Sequence, residues 1–476
     1  VAWDFCQFNQ RLTVLCMLAL ACIGISLWWK HRVRLRDLIS QHRFVWLASE
    51  IIFLATFFFF LLIRYRNPDL WESYLGGEKP MELGYLTAVG RSPELPPYDP
   101  WFAGGSMNYY YFGWFLLAVP MRALKLLPEI TFQLGVATFA ALAGVIVFSL
   151  VYNLSKINRP LRVRKITPIA TATMSGVLGV FFLLGSGTFD AVRVHFARLR
   201  SVNTWTLVED WPVLGAFSEL IGGTWLWISG ASLPSFDWWA SSRVNSGNFD
   251  ITEFPYFTFL FGDLHPHMMG IPVTLLSLSL GLTYLLSCRQ EIPKNRTYLA
   301  ICIGLASGVA RMTNTWDYPT SILTLAIIFL LGACLATNKS LETSTDNKAS
   351  LFGVAGLAIC LSALGSGGNI LLIIFGLTGI LGALSVFCTP INRGRVLQFI
   401  CHFFIAIVSH IGLTWPYLRN SKNFNVGIHR SEWTSPLSDF LSHWGIFLSI
   451  AIIFFAVILI EGRKEDGKHN ITIHFL

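Results

Sequence analysis

"FVWLASEIIFLATFFFFLLI", residues 44–63, carries one ionisable side chain, Glu50, in twenty residues. A helix of that length rises about 30 Å, the thickness of a bilayer's hydrocarbon core. A glutamate facing lipid at that depth costs about 2.5–3.5 kcal/mol, so Glu50 is expected to turn towards the protein. On the N-terminal side stand Lys30, Arg32, Arg34, Arg36 and Arg43; on the C-terminal side begins a long polar loop, 64–108.

The pattern of 44–63 repeats along the chain. Apolar runs fall at 12–29, 109–127, 130–153, 166–185, 267–287, 298–312, 319–337, 350–366, 369–388, 397–417 and 444–460, with a weaker one at 211–230 that carries Glu219. The reading is an all-α, polytopic transmembrane bundle of about 12 or 13 spans. Composition agrees: 54% hydrophobic, 13% charged and a mean hydropathy of +0.56, against roughly 45–50% and 25% in soluble chains.

The run 12–29 is followed by a basic cluster and no small-residue cleavage site, so it reads as a retained span. With Val1 in place of Met, the native start is expected upstream. The net charge of +8 collects in short clusters between spans, which is the positive-inside pattern and not a nucleic-acid surface. Cysteines 6, 16, 22, 288, 302, 334, 360, 388 and 401 lie in or beside apolar runs, so neither a disulfide framework nor a CxxC metal site is expected.

Basic loops at 30–43, after 287, at Arg393 and Arg395, and from Arg463 set the cytoplasmic side. Alternation then places 64–108, 255–266, 311–318 and 417–443 outside. The loop 156–165, with Lys156, Arg159, Arg162, Arg164 and Lys165, breaks the alternation if both 109–127 and 130–153 cross. Polar residues 338–349 form a linker between an N-terminal membrane half, 1–337, and a C-terminal half, 350–476.

Chemistry concentrates in three places. Loop 64–108 is far longer than an ordinary connection. Its piece 78–90 reads as a short amphipathic helix at the interface, with Glu78 and Glu82 on one face at i and i+4 and Lys79 turned elsewhere. Two such carboxylates can divide base and acid roles or hold a divalent cation; a solvated acidic face is the plainer alternative. The second place is "ITEFPYFTFLFGDLHPHMMGIP", 251–272, where Asp263, His265 and His267 alternate. In extended backbone they point one way, towards a metal, a phosphate or structural hydrogen bonds. The third is "RMTNTWDYPT", 311–320: Arg311 suits a phosphate because a guanidinium forks onto its oxygens, with Asn314 and Asp317 beside it. A capped helix start with an interfacial Trp is the plainer reading there.

"DWWASSR", 237–243, adds Arg243 beside stacking tryptophans as a pyrophosphate or sugar contact. "LGSGT", 184–188, lacks the pattern and the Lys of a P-loop. "GGSMNYYYFGW", 104–114, sets Tyr109, Tyr110 and Tyr111 in a row. On a helix these diverge by about 100° each, so one is expected at lipid headgroups and one towards protein or ligand.

The pieces "GGEKPMELGYL", "PPYDPWFAGGSMNYYYFGW", "SSRV", "EFPYFTFLFGDLHPHMMGIP", "NTWDYPT" and "HWGIFL" at 443–448 resemble, in order, the YYY membrane proteins, the DUF2298 family of bacteria and archaea. The usual acid after EKPM there is Asp; here it is Glu82. That family is similar to the GT-C class of membrane glycosyltransferases. The resemblance implies a GT-C-like bundle in a bacterial or archaeal plasma membrane and an active site on the extracytoplasmic side. It also implies a polyprenyl-phosphate sugar donor among the membrane lipids and an acceptor whose identity the residues leave open.

On that basis Glu82, then Glu78, is expected to act as base in an inverting transfer. Asp99, Asn108, Tyr109, Tyr110, Tyr111, Arg243, Arg311, Asn314 and Asp317 are expected to contact substrate or phosphate. Asp263, His265 and His267 would hold phosphate or a divalent cation, Mg or Mn. A lipid or sugar transporter or flippase, and a non-catalytic assembly protein, are the alternatives; a transporter would carry polar groups through the midplane and an internal repeat, neither of which the sequence displays.

Overall fold

The computed structural model describes residues 7–72, 76–157, 168–203, 211–245, 251–289, 295–335, 393–421 and 434–465. The linker 338–349, the runs 350–366 and 369–388 and most of the basic loop 156–165 lie outside them. The described chain is helical, its one β-bridge joining Tyr98 and Ser106. The helices are α1 (Gln10–Gln41), α2 (Arg43–Arg66), α3 (Lys79–Arg91), α4 (Phe112–Leu124), α5 (Pro128–Ile157), α6 (Pro168–Leu184), α7 (Phe189–Ser201), α8 (Pro212–Ile228), α9 (Pro255–Phe261), α10 (Pro266–Arg289), α11 (Arg296–Thr313), α12 (Tyr318–Leu335), α13 (Arg393–Leu418) and α14 (Leu437–Glu465).

Among the described residues seven helices are long and apolar enough to cross a membrane, or eight if the bent pair α6 and α7 makes one span. The protein is thus a polytopic helical bundle. The runs 109–127, 211–230 and 298–312 do form helices, α4, α8 and α11, but these fall outside the seven. At 13 residues, α4 rises only about 20 Å, too little for a hydrocarbon core of about 30 Å. With α4 not counted as a crossing, α2 and α5 are the candidate spans flanking 67–127, so the conflict over loop 156–165 no longer follows from the count of spans.

The chain divides into two compact units, Val1–Val180 with Gly262–Ile428, and Phe181–Phe261 with His429–Leu476. In the first, α10 packs on α5, α11 and α12, α13 covers α11 and α12, α2 lies on α5, and α3 pairs with α4. In the second, α7 packs on α8 and α14, and Phe254 stacks on His443 with centroids 4.5 Å apart, joining two of the sequence motifs.

α11 meets α13 through "GLASG", a small-xxx-small pattern that lets helix backbones approach. A methyl group on Gly304 would lie 2.1 Å from the carbonyl oxygen of Ala406. Gly304→Ala is therefore expected to destabilise the purified protein by about 1–3 kcal/mol in a thermal unfolding series. Gly24→Ala is the control, since nothing lies within 4 Å of that position.

Glu50 does not turn inward. It is exposed, because α2 rests on the Phe148 and Tyr152 cluster through Val45, Ala48 and Ile52. A position two residues from Ala48 and Ile52 sits about 200° round the helix, on the uncovered side.

Candidate functional site

α3 begins where its sequence allows. Pro80 stands in the first turn, where its missing N–H is not needed, and Glu82 lies there with its charge towards the positive end of the helix dipole. Glu78 precedes the helix without a side-chain cap hydrogen bond. The helix is not the surface-lying element its pattern suggests. Lys79, Glu82, Leu83, Tyr85, Leu86, Ala88 and Val89 are all buried, because α4 and α5 cover it.

Burial separates the two carboxylates. Glu82 has no exposed surface, whereas the Glu78 side chain is 55% exposed. Neither Glu82 carboxylate oxygen makes a well-formed hydrogen bond with a described residue; the backbone N–H of Leu264 lies near enough to oppose, as the smallest influence, the rise of its pKa. Desolvation, with the nearby charges of Asp263 and Glu78, pushes the Glu82 carboxyl well above the usual carboxylate range. A solvated acidic face is thereby excluded for Glu82.

Lys79 does not point away from this group. It is buried, donates to the carbonyl of Gly76 at 2.9 Å, and lies within electrostatic reach of Asp263 and Glu82. Burial lowers its pKa. Arg64 is buried near the same acids, donating to Gln133 Oε1 at 2.6 Å and to the carbonyl of Asp69 at 3.0 Å.

The D-x-H-x-H row is not extended. Pro266 starts α10, so Asp263 and His265 lie in the irregular stretch before it while His267 belongs to the first helical turn. His265 reaches the carboxylates: its Nε2 is 3.3 Å from Glu78 Oε2 and its Nδ1 is 4.0 Å from Glu82 Oε1. Its ring also meets the His267 ring edge-on at 4.7 Å. His267 lies instead within electrostatic reach of Asp317. Asp317 accepts from the Asn314 side chain and packs on Gly270, where an added methyl would sit 2.7 Å from Asp317 Oδ2. Two of the three sequence motifs thus meet at the head of α10 and the third is coupled to them through the turn before α12.

The tyrosines precede α4 rather than riding on it. Tyr109 stacks on Tyr110 at 4.0 Å and on Tyr85 at 5.4 Å. Tyr111 is buried against Tyr417 of α13 at 5.6 Å. None of the three stands exposed as a headgroup anchor would. Tyr85 and Tyr109 both feel the charge of Glu78, so the stacked rings adjoin the acids. Burial and the neighbouring Tyr110 raise the Tyr109 pKa, keeping its phenol neutral and able to donate.

Arg311 lies over the ring of Tyr318 at 4.0 Å, with Nη1 3.5 Å from His410 Nε2. Its nearby groups are Tyr318 and Tyr417, and its Nε is buried without a hydrogen-bond partner among the described residues. Asp99 caps a tight turn by accepting from the Trp101 N–H at 2.8 Å. Asn108 is half-buried before Tyr109. Arg243 belongs to the second unit, over the Trp239 ring at 5.1 Å and 3.7 Å from Glu253. Arg64, His410 and Tyr417 lie outside every quoted motif, and Lys79 and Tyr85, though inside "GGEKPMELGYL", are not singled out there as site residues. Only Lys79, at i−3 from Glu82, was within reach of spacing rules.

The state of Glu82 has a measurable consequence. Below its ordinary pKa near 4.5 both folded and unfolded chains hold the proton, and burial costs nothing. As pH rises, the unfolded chain ionises first, so the folded state loses stability until its own raised pKa is passed. Glu82→Gln lacks this term. Its melting temperature is expected to gain on the wild type as pH rises above about 4.5, the gain levelling off once the raised pKa of the buried carboxyl is passed, read by tryptophan fluorescence.

Residues 1–476 match a family model described as "Uncharacterized membrane protein (DUF2298)". None of the curated proteins and none of the solved structures matches the chain.

Proposed function

We propose, for a chain that belongs to the DUF2298 family of uncharacterized membrane proteins, that the site around Glu82 transfers a sugar from a polyprenyl-phosphate donor to an acceptor hydroxyl. The protein is an integral membrane protein, so a donor with its chain in the bilayer and its phosphate at the bundle's end can reach the site. The observation that carries the reading is the buried Glu82 carboxylate, without a well-formed hydrogen bond to a described residue, facing His265 and Glu78.

A base of raised pKa is suited to taking a proton from a hydroxyl, since proton transfer is most effective with a pKa near the working pH. The acceptor oxygen attacks the anomeric carbon as its proton passes to Glu82. The bond from that carbon to the phosphate oxygen breaks, and polyprenyl phosphate leaves with the bonding pair. Attack from the side opposite the phosphate inverts the anomeric centre. Glu78, at the exposed mouth, is the second candidate base. Charge builds on the leaving phosphate, and Arg311 supplies the compensating cation. The stacked Tyr85, Tyr109 and Tyr110 rings offer flat apolar faces to the C–H face of a pyranose, with phenols for its hydroxyls.

Basic loops at the opposite end of α2, α5 and α10 support an extracytoplasmic site in a bacterial or archaeal membrane. The test is donor turnover: purified protein in lipid is supplied with polyprenyl-phosphate sugars and release of polyprenyl phosphate is followed in wild type and Glu82→Gln. Turnover that Glu82→Gln removes supports the reading; turnover equal in both overturns it.

A transporter predicts polar groups at membrane depth, and among the described residues some lie there: the Tyr284 hydroxyl and His402 Nδ1 are 2.7 Å apart between α10 and α13, and Thr274, Ser277, Ser307, Asp317, Ser321 and Thr324 line a cavity of about 30 Å³ between α10, α11 and α12. That is room for about one water molecule and not for a sugar.

A further inference from the structure

We infer that Glu78, Glu82 and His265 form a binding site for a divalent first-row transition cation. Among the described residues these three offer ligand atoms that all lie within 4.8 Å of one another. A cation with oxygen and nitrogen ligands at about 2.0–2.2 Å holds its donors about 3–4 Å apart, and one ligand atom from each of the three residues already lies within 4.8 Å of the other two. The site therefore needs only small side-chain movements to close on an ion.

The acids alone would not make a site. The second observation is Glu82 itself, wholly buried and aimed at His265, with both carboxylate oxygens lacking a well-formed hydrogen bond to a described residue. A buried carboxyl in that state is relieved by a proton, by the nearby Lys79 or by a bound cation, and only the last would draw in His265 and Glu78 as well. Asp263, whose charge reaches Glu82, adds negative potential beside the three ligands.

The donor set selects the ion class. Two carboxylates and one imidazole suit Mn²⁺ or Zn²⁺ better than Ca²⁺ or Mg²⁺, which favour all-oxygen shells. The open side is also defined. Glu78 stands at the exposed mouth, so three protein ligands leave a position for water or an incoming oxygen, as in catalytic rather than structural metal sites. The ligands come from the start of α3 and the residue before α10, segments far apart in sequence, so binding ties the two together.

The inference stands apart from the transferase reading because binding is measured without donor. The purified full-length protein is stripped with chelator, desalted and titrated with Mn²⁺, free ion being read by electron paramagnetic resonance and bound ion by mass spectrometry. One Mn²⁺ per chain is expected, displaced by Zn²⁺, with affinity lowered at least ~10-fold in Glu82→Gln and in His265→Ala. Glu78→Gln, at the exposed mouth, guards against misfolding of the buried variants and is expected to weaken binding similarly. Glu94→Gln, on the exposed loop, is expected to bind as wild type. No stoichiometric Mn²⁺ or Zn²⁺ on the wild type, or binding that survives both Glu78→Gln and Glu82→Gln, overturns the site. Either result leaves donor turnover to be judged on its own: turnover without metal sinks only this inference, and metal without turnover sinks only the transferase.

Discussion

Glu82→Gln is expected to leave a folded, membrane-inserted protein whose donor turnover has fallen at least ~10²-fold, the contribution typical of a positioned general base. Gln keeps the volume of the side chain and removes its basicity. Because neither Glu82 oxygen makes a well-formed hydrogen bond among the described residues, the amide disturbs little beyond the backbone N–H of Leu264, and a melting curve of the variant checks that a fall in turnover is not lost folding. Glu82→Asp separates basicity from reach: it keeps the carboxylate but withdraws it by one methylene from His265, and intermediate turnover is expected. A folded Glu82→Gln protein that turns over donor at the wild-type rate would remove the base from this site.

Arg311→Ala is expected to weaken retention of a polyprenyl phosphate by about 10–100-fold, since a hydrogen bond to a charged group is worth about 1.5–3 kcal/mol. Arg311 stacks on Tyr318, so alanine also removes packing, and a lowered melting point alone proves nothing. Arg311→Lys answers this. It keeps the charge but not the planar fork that matches phosphate oxygens, and is expected to retain lipid between wild type and alanine. If all three proteins retained lipid equally, the phosphate would have to be held elsewhere.

The bundle was legible because its signal is physical and local: long apolar runs have no soluble solution, and 44–63 alone requires a span. Its topology was less so. Length and hydropathy could not distinguish α4, which stops at a left-handed Lys125 after 13 residues, from a full crossing. The site shows the same division. Spacing put Glu78 and Glu82 on one helical face, whereas Glu78 precedes α3 as its N-cap residue; burial, which makes one a buried acid and the other a rim residue, depends on α4 and α5 covering α3. His265 was singled out with Asp263 and His267, yet the Pro266 that starts α10 sends His267 towards Asp317. The contributions of Tyr417 and His410 from α13 were invisible, because nothing in "FFIAIVSHIGLTWPYL" marks which face meets α11.

The most direct measurement is native mass spectrometry of the protein purified in lipid, comparing wild type with Arg311→Ala and Glu82→Gln. The account predicts a retained polyprenyl-phosphate sugar on wild type, weakened in Arg311→Ala and kept intact in Glu82→Gln, where it can bind but not react. A wild-type protein that never retains such a lipid and never consumes one when supplied would contradict the central claim.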